Sequence, residues 1–157
     1  METTGKIAGV NGNMITVAFD GAVAQNEVGY ACIDQNGKAL RLMSEVVRIR
    51  GRDADMQVFE DTRDLKIGDK VAFTGNLLAA ELGPGLLTQI YDGLQNPLPK
   101  LAEACGFFLQ RGKYIEALPR DTKWAFTPTA KPGDVLQAGD ALGTVPEGIF
   151  KHRIMLP

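Results

Sequence analysis

Few residues in this 157-residue chain have the means to do chemistry, and their spacing excludes most of what they could do. A phosphate-cradling loop needs G-x-x-x-x-G-K-[ST], in which backbone N–H groups and the lysine hold the phosphates and the hydroxyl reaches Mg²⁺. The nearest approach is Gly106-Phe107-Phe108-Leu109-Gln110-Arg111-Gly112-Lys113-Tyr114. It has one residue too many between its glycines and a tyrosine in the hydroxyl position. Gly5-Lys6-Ile7 and Gly37-Lys38-Ala39 lack both the earlier glycine and the hydroxyl. His152 is the only histidine, so no multi-histidine metal site can form within one chain, and its neighbours Phe150, Ile154 and Met155 read as a surface or half-buried strand. The carboxylate pairs Glu60-Asp61 and Asp53/Asp55 have no accompanying nucleophile or pocket signal and read as solvated turn residues. Cys32 and Cys105 lack metal-ligand spacing and read as free, buried thiols. Trp124 reads as an anchor of a local core rather than a ligand platform. No catalytic residue, metal ligand or cofactor-binding residue is therefore expected in these residues.

Composition narrows the class further. The chain is 45% hydrophobic and 23% charged, as globular domains are, with enough glycine and proline for many turns and few enough aromatics to predict an aliphatic core. A net charge of −2 argues against a nucleic-acid module, which needs a basic face to recruit phosphates. Arg48, Arg50 and Arg52 alternate and would share one strand face. With Asp53, Asp55, Glu60 and Asp61 close behind, that face reads as solvated. Neither a secretory leader nor an apolar run near the ~18 residues of a spanning helix is visible, so no direct membrane insertion is expected.

The elements that must position these residues are mainly β. Lys6–Val10 and Met14–Phe19 flank Asn11-Gly12-Asn13. Glu27–Ile33 and Lys38–Met43 flank Gln35-Asn36-Gly37, and Glu45–Arg50 and Met56–Glu60 flank Gly51-Arg52-Asp53. Asn-Gly steps between apolar runs are strong hairpin signals. Short strands at this regular spacing predict a small amino-terminal β-barrel over residues 1–75, closed by Val71–Thr74. Residues 76–110 carry the only helical character, in Leu86–Leu94 and Leu98–Ala104. Residues 111–157 return to strands and turns, the start of a β-rich, barrel-sandwich-like region.

The densest pattern is Glu81 to Leu98, E-L-G-P-G-L-L-T-Q-I-Y-D-G-L-Q-N-P-L. Gly83, Pro84 and Gly85 break regular structure, since proline gives up its N–H and glycine tolerates positive φ. Asp92-Gly93 and Asn96-Pro97 mark further turns. Gly83, Pro84, Gly85, Asp92 and Gly93 are thus candidates for a structural junction without chemistry of its own. Leu86, Leu87, Ile90 and Tyr91 are expected to be poorly covered in these residues alone.

This string closely resembles one in the catalytic A subunit of the A-type/V-type rotary ATPases. Val46-Val47-Arg48-Ile49, Gln57-Val58-Phe59-Glu60-Asp61-Thr62 and Leu65-Lys66-Ile67-Gly68-Asp69 resemble further A-subunit segments, with Asp64 where many members carry glycine. Arg111-Gly112-Lys113-Tyr114, Asp121-Thr122-Lys123-Trp124-Ala125-Phe126-Thr127-Pro128 and Lys151-His152-Arg153-Ile154-Met155-Leu156-Pro157 follow in the same order. The resemblance covers the amino-terminal part of a subunit several times longer. It implies a barrel that joins a crown, a lead into the nucleotide-binding domain at 76–110, and the start of an outward bulge at 111–157. It also implies non-catalytic B subunits as partners in an alternating hexameric ring, peripheral-stalk subunits met through the bulge, and a cytoplasmic place in a membrane-associated complex. Mg-ATP or ADP would bind only the full-length subunit, with the catalytic residues beyond Pro157. Whether protons or sodium ions move, and in which direction, belongs to other parts of such a machine.

A stand-alone binding module is the competing reading. Pro132-Gly133-Asp134 and Ala138-Gly139-Asp140 give a turn rhythm like that of biotinyl and lipoyl carriers. However, Lys131 precedes a proline and Lys151 lies in Phe150-Lys151-His152-Arg153, neither of them a carrier's hairpin-tip lysine. A nucleic-acid-binding barrel is the other form of this alternative.

Overall fold

The computed structural model describes residues 3–35 and 38–157. It divides into two compact units, one of Met1–Ala79 with Gln110–Lys113 and the other of Ala80–Leu109 with Tyr114–Pro157.

In the first unit six antiparallel strands close into a barrel: β1 (Thr4–Asn11), β2 (Met14–Asp20), β3 (Glu27–Gln35), β4 (Lys38–Arg50), β5 (Asp53–Val58) and β6 (Lys70–Leu77). Around the wall they run β1-β2-β5-β4-β3-β6, and β6 pairs with both β1 and β3. Closure leaves no open edge, as the regular strand spacing predicted. The β1–β2 and β4–β5 hairpins turn through two residues, with Gly12 (φ 61°) and Gly51 (φ 62°) at the first central position, where a tight hairpin needs positive φ. The expected turn at Asn36-Gly37 lies outside the described residues.

The interior is aliphatic, as composition predicted. Ile7, Ile15, Val17, Leu42, Val46, Met56, Val58 and Val71 are almost fully buried. Phe19 and Phe73 add one edge-to-face aromatic pair with centroids 5.8 Å apart.

Three expectations are corrected at this point. Lys38–Met43 and Glu45–Arg50 are one 13-residue strand. Ser44, which lies between the two expected strands, is wholly buried, and its hydroxyl donates to the Gly29 carbonyl at 2.9 Å, so a polar residue sits in the wall at no hydrogen-bonding cost. Likewise β5 begins at Asp53 and ends at Val58, two residues short of Glu60. The thiols of Cys32 and Cys105 are free as expected, but half-buried rather than buried.

The second unit holds one helix, α1 (Leu98–Cys105), and a small antiparallel sheet of β7 (Thr127–Pro128), β8 (Ala141–Glu147) and β9 (Phe150–Met155) in the order β7-β8-β9. Pro97 precedes the helix, where a missing N–H costs nothing, and Leu101 is the residue it buries. The two Gly-Asp steps noted in the sequence are tight turns of one design. Asp134 Oδ2 accepts from the Lys131 N–H and Asp140 Oδ2 from the Gln137 N–H, each at 2.8 Å, while the aspartate's own N–H returns to the carbonyl three residues back. Asp69 repeats this with Lys66 at 2.7 Å in the first unit.

Leu86–Leu94 is not a helix but a series of turns, with an isolated bridge between Tyr91 and Pro97. Thr88 (φ 67°) and Gln95 (φ 61°) sit in the left-handed region, which ends any right-handed helix. The backbone donors are also engaged elsewhere. The Leu98 N–H reaches the Ile90 carbonyl and the Asp92 N–H the Asn96 carbonyl, while those of Gly85 and Leu87 go to a side chain from β8.

Candidate functional site

Gly83, Pro84, Gly85, Asp92 and Gly93 lie in the second unit, in a loop bound by side chains rather than by regular structure. Glu147, at the end of β8, is 7% exposed. Its Oε1 accepts from the Gly85 N–H at 2.7 Å and the Leu87 N–H at 3.1 Å, and its Oε2 lies 2.9 Å from His152 Nδ1 on β9. Burial is the largest influence on this carboxyl and works against its charge. The Gly85 N–H, His152 and the Leu87 N–H together outweigh it and hold the group below the usual carboxylate range.

The Gly-Pro-Gly turn has little room. A Cβ on Gly83 would come within 2.9 Å of Leu118 Cδ1. Gly85 has φ 104°, and a Cβ there would meet the Pro119 ring at 2.8 Å. Pro84 between them is half-buried. These glycines therefore answer to close packing and, at Gly85, to a backbone that other residues adopt only under strain.

Asp92 organises the second turn. Its Oδ1 accepts from the N–H groups of Leu94 (2.9 Å) and Asn96 (2.8 Å), and its Oδ2 from Asn96 Nδ2 (2.9 Å). Asn96, 5% exposed, in turn accepts from the Ile115 N–H at 2.9 Å. Gln95 exchanges two bonds with the backbone of Glu81, at 2.7 and 2.8 Å, and the Glu81 carboxylate pairs with Arg120. The Tyr91 hydroxyl donates to the Ala117 carbonyl at 3.0 Å. Burial, then the nearby charges of Glu147 and Glu81, raise its pKa. Gly93 is exposed, with open space where a Cβ would stand. Gly83, Pro84, Gly85 and Asp92 thus fall in one bonded loop system, and Gly93 marks its outer turn.

The apolar side chains of this loop are unevenly covered. Leu86 and Tyr91 are half-buried, whereas Leu87 is 39% and Ile90 66% exposed. Trp124, expected as a core anchor, is half-buried beside Gly85.

The barrel wall carries a polar cluster that the sequence reading missed. Asp55 is no solvated turn residue. It sits on β5, 8% exposed, directly opposite Arg48. Arg48 donates to its Oδ2 through Nε (3.1 Å) and an Nη (2.8 Å), Arg50 reaches both oxygens at 3.0 and 2.9 Å, and the Thr16 hydroxyl donates to Oδ1 at 3.0 Å. The Arg48 guanidinium holds the Asp55 carboxyl below its ordinary range against the cost of burial, with help from Thr16 and Arg50. Arg48 and Arg50 do share a face, as their alternation predicted, but they use it to clamp a carboxylate. Arg52 pairs instead with Asp20. The available signal was cross-strand register: a hairpin about Gly51-Arg52 sets Asp55 across from Arg48 once the β-bulge between Val46 and Arg48 is counted.

Asp64, which departs from the resembled family's glycine, has φ 78°. Aspartate is among the few side chains that tolerate this backbone, and here its Oδ2 accepts from Arg111 at 2.9 Å. Arg111 also donates to the carbonyls of Asp61 and Arg63, and the Gly112 N–H to Glu60 Oε2 at 2.6 Å. Glu60, Asp61 and Arg111-Gly112 thus fasten the 110–113 segment onto the barrel unit. Each of these clusters satisfies its own donors and acceptors, and among the described residues no buried side-chain polar atom lacks a partner. Such an arrangement fixes backbone shape.

A closed barrel over the first half, a bonded loop, and a further small sheet after it define a class. The beta-barrel domain of the ATP synthase alpha/beta family matches residues 7–75, and the ATP synthase alpha/beta subunit barrel-sandwich domain matches residues 115–157. The chain belongs to the ATP synthase alpha/beta family. Within that family it is similar along its whole length to V-type ATP synthase alpha chains. It is 60% identical to the alpha chain of Treponema denticola over 156 residues, which are 99% of this chain and 26% of that one. It is 56% identical to alpha chain 1 of Treponema pallidum, with the same coverage, and 54% identical to the alpha chain of Borreliella burgdorferi over 157 residues, 100% of this chain and 27% of that one. The chain thus spans about a quarter of the length of these relatives. A stand-alone carrier-like or nucleic-acid-binding barrel is not favoured. No helix among the described residues is long and apolar enough to cross a membrane.

Proposed function

We propose that this chain supplies the assembly and junction portion of a V-type ATP synthase alpha subunit, whose complete form couples ATP synthesis or hydrolysis to the transport of protons or sodium ions across a membrane. The observation that carries the reading is the closed barrel at the position of the family's beta-barrel domain, followed in sequence by a loop whose backbone is bound by the Glu147 and Asp92 carboxylates. In this reading residues 1–75 join neighbouring barrels in a ring alternating with non-catalytic B subunits. Residues 76–110 lead into the nucleotide-binding domain, with Gly83, Pro84, Gly85, Asp92 and Gly93 as the structural junction. Residues 111–157 begin a bulge that faces peripheral-stalk subunits. The assembly sits on the cytoplasmic side as part of a membrane-associated complex.

Mg-ATP and ADP belong to the complete subunit. The 157 residues contain no G-x-x-x-x-G-K-[ST] loop, so titration of Mg-ATP into this chain is expected to give no binding heat. Micromolar binding would contradict the assignment of the nucleotide site to residues beyond Pro157. Reading the gene past the Pro157 codon should reveal a frame that continues into a phosphate-binding loop. A stop codon there would contradict the proposal.

A further inference from the structure

The loop after Gly83 holds a backbone that its own sequence disfavours. Thr88 has φ 67°, and for a β-branched residue the left-handed region is a true outlier. Such a conformation persists only where its surroundings over-determine it. The surroundings here are the turn at Gly83 and Gly85, pressed against Leu118 and Pro119, and the Glu147 carboxylate bonded to the N–H groups on either side of Leu86. Glu147 reaches them from 62 and 60 residues away in sequence. It stands at the tip of the β8–β9 hairpin, and His152 on β9 engages its other oxygen.

We propose that Glu147 is a positioning residue, a latch by which the β8–β9 hairpin holds the Gly83–Ile90 loop in a strained conformation. The charge is essential to it. A carboxylate accepting two backbone N–H bonds and one imidazole contact forms bonds roughly twice as strong as a neutral acceptor makes. Loss of the charge frees Gly85 and Leu87, lets Thr88 return to an ordinary backbone region, and re-aims Leu87 and Ile90, the outward-facing apolar side chains of the loop. The titratable groups around the latch are His152 at Oε2, the Tyr91 hydroxyl, and Glu81, which acts on Tyr91. Any movement of the hairpin is thereby transmitted to the junction. The inference concerns the second unit alone and does not depend on the function proposed above.

Residue-resolved amide exchange on the chain tests it. In Glu147→Gln, exchange at Gly85 and Leu87 is expected to quicken by about 10-fold, with Leu101 and Thr144 unchanged. Adding Thr88→Gly, which removes the strain, should restore part of the lost protection. Unchanged exchange at Gly85 and Leu87 would overturn the latch, and still faster exchange on adding Thr88→Gly would overturn the strain. Should Glu147→Gln unfold the unit, acid titration of the unmodified chain decides. The amide proton shifts of Gly85 and Leu87 must then follow the Glu147 carboxyl carbon with one midpoint, and separate midpoints would overturn the proposal.

Discussion

Arg48 donates twice to one oxygen of Asp55, at 3.1 and 2.8 Å, directly across the β4–β5 pair. The carboxylate is nearly enclosed while both arginines that serve it stay more than half exposed, at 63% and 58% of their side-chain surface. The cluster is therefore asymmetric. Removing Asp55 leaves cations that can turn to water and a Thr16 hydroxyl without its acceptor. Removing Arg48 leaves a buried charge that Arg50 and Thr16 still serve. Asp55→Ala is expected to destabilise the barrel unit by about 1–3 kcal/mol and Arg48→Ala by about 1 kcal/mol, the exposed guanidinium being discounted for solvent screening. Urea midpoints with an unchanged slope measure both.

Acid should act on the same carboxylates. Asp55 and Glu147 are both held below their ordinary values, Asp55 chiefly by Arg48 and Glu147 by the Gly85 N–H, His152 and the Leu87 N–H against burial. A carboxyl depressed in the folded state gives a contribution that is complete above its unfolded value, about 4. That contribution is lost as pH falls through the folded value. Stability should therefore be flat from about pH 7 down to about 5 and fall below about 4. In Asp55→Asn the fall should be shallower, as read from urea midpoints between about pH 6 and 2.5.

Asp64 lets a strained backbone be weighed against an ion pair. Glycine there removes a left-handed cost of about 1 kcal/mol but also the exposed Arg111 contact, worth about 0–1 kcal/mol. Asp64→Gly should thus change stability by less than about 1 kcal/mol in either direction. Leu42→Ala, at a fully enclosed position, should cost about 2–5 kcal/mol. Thermal melts of the two variants give the comparison.

The segment after α1 leaves Phe107, Phe108 and Leu109 at 103%, 84% and 79% exposure, beside Gly106 at φ 70°. A hydrophobic dye should bind the folded chain, and the double variant Phe107→Ser, Phe108→Ser should bind clearly less without a fall in melting temperature. Equal dye fluorescence from both proteins would count against an accessible apolar segment.

The barrel was legible in the sequence because its information is local. Asn11-Gly12 and Gly51-Arg52 mark tight turns, and the alternation in Met14–Asp20 puts Ile15, Val17 and Phe19 on the inner face. The departure from regular structure at Gly83-Pro84-Gly85 was legible, but not the form of the loop that follows. The Leu86, Leu87, Ile90 and Leu94 spacing mimics a helix, and what defeats it is the left-handed backbone at Thr88 and an Asp92 N–H that turns to the Asn96 carbonyl. Asp55 was misread for a more local reason. Ala54, Asp55 and Met56 are all buried, so β5 breaks the alternation by which an inner residue is told from an outer one. Arg48 and Arg50, seven and five residues before Asp55, make its burial tolerable, but only the Gly51-Arg52 hairpin and the bulge before Arg48 set them against it.

The proposed role in assembly is tested most directly by native mass spectrometry of the full-length subunit co-expressed with the B subunit proposed as its partner, with and without residues 1–75. The complete protein should give a ring of alternating subunits and the truncated one none. Rings that form equally well without the barrel would contradict it.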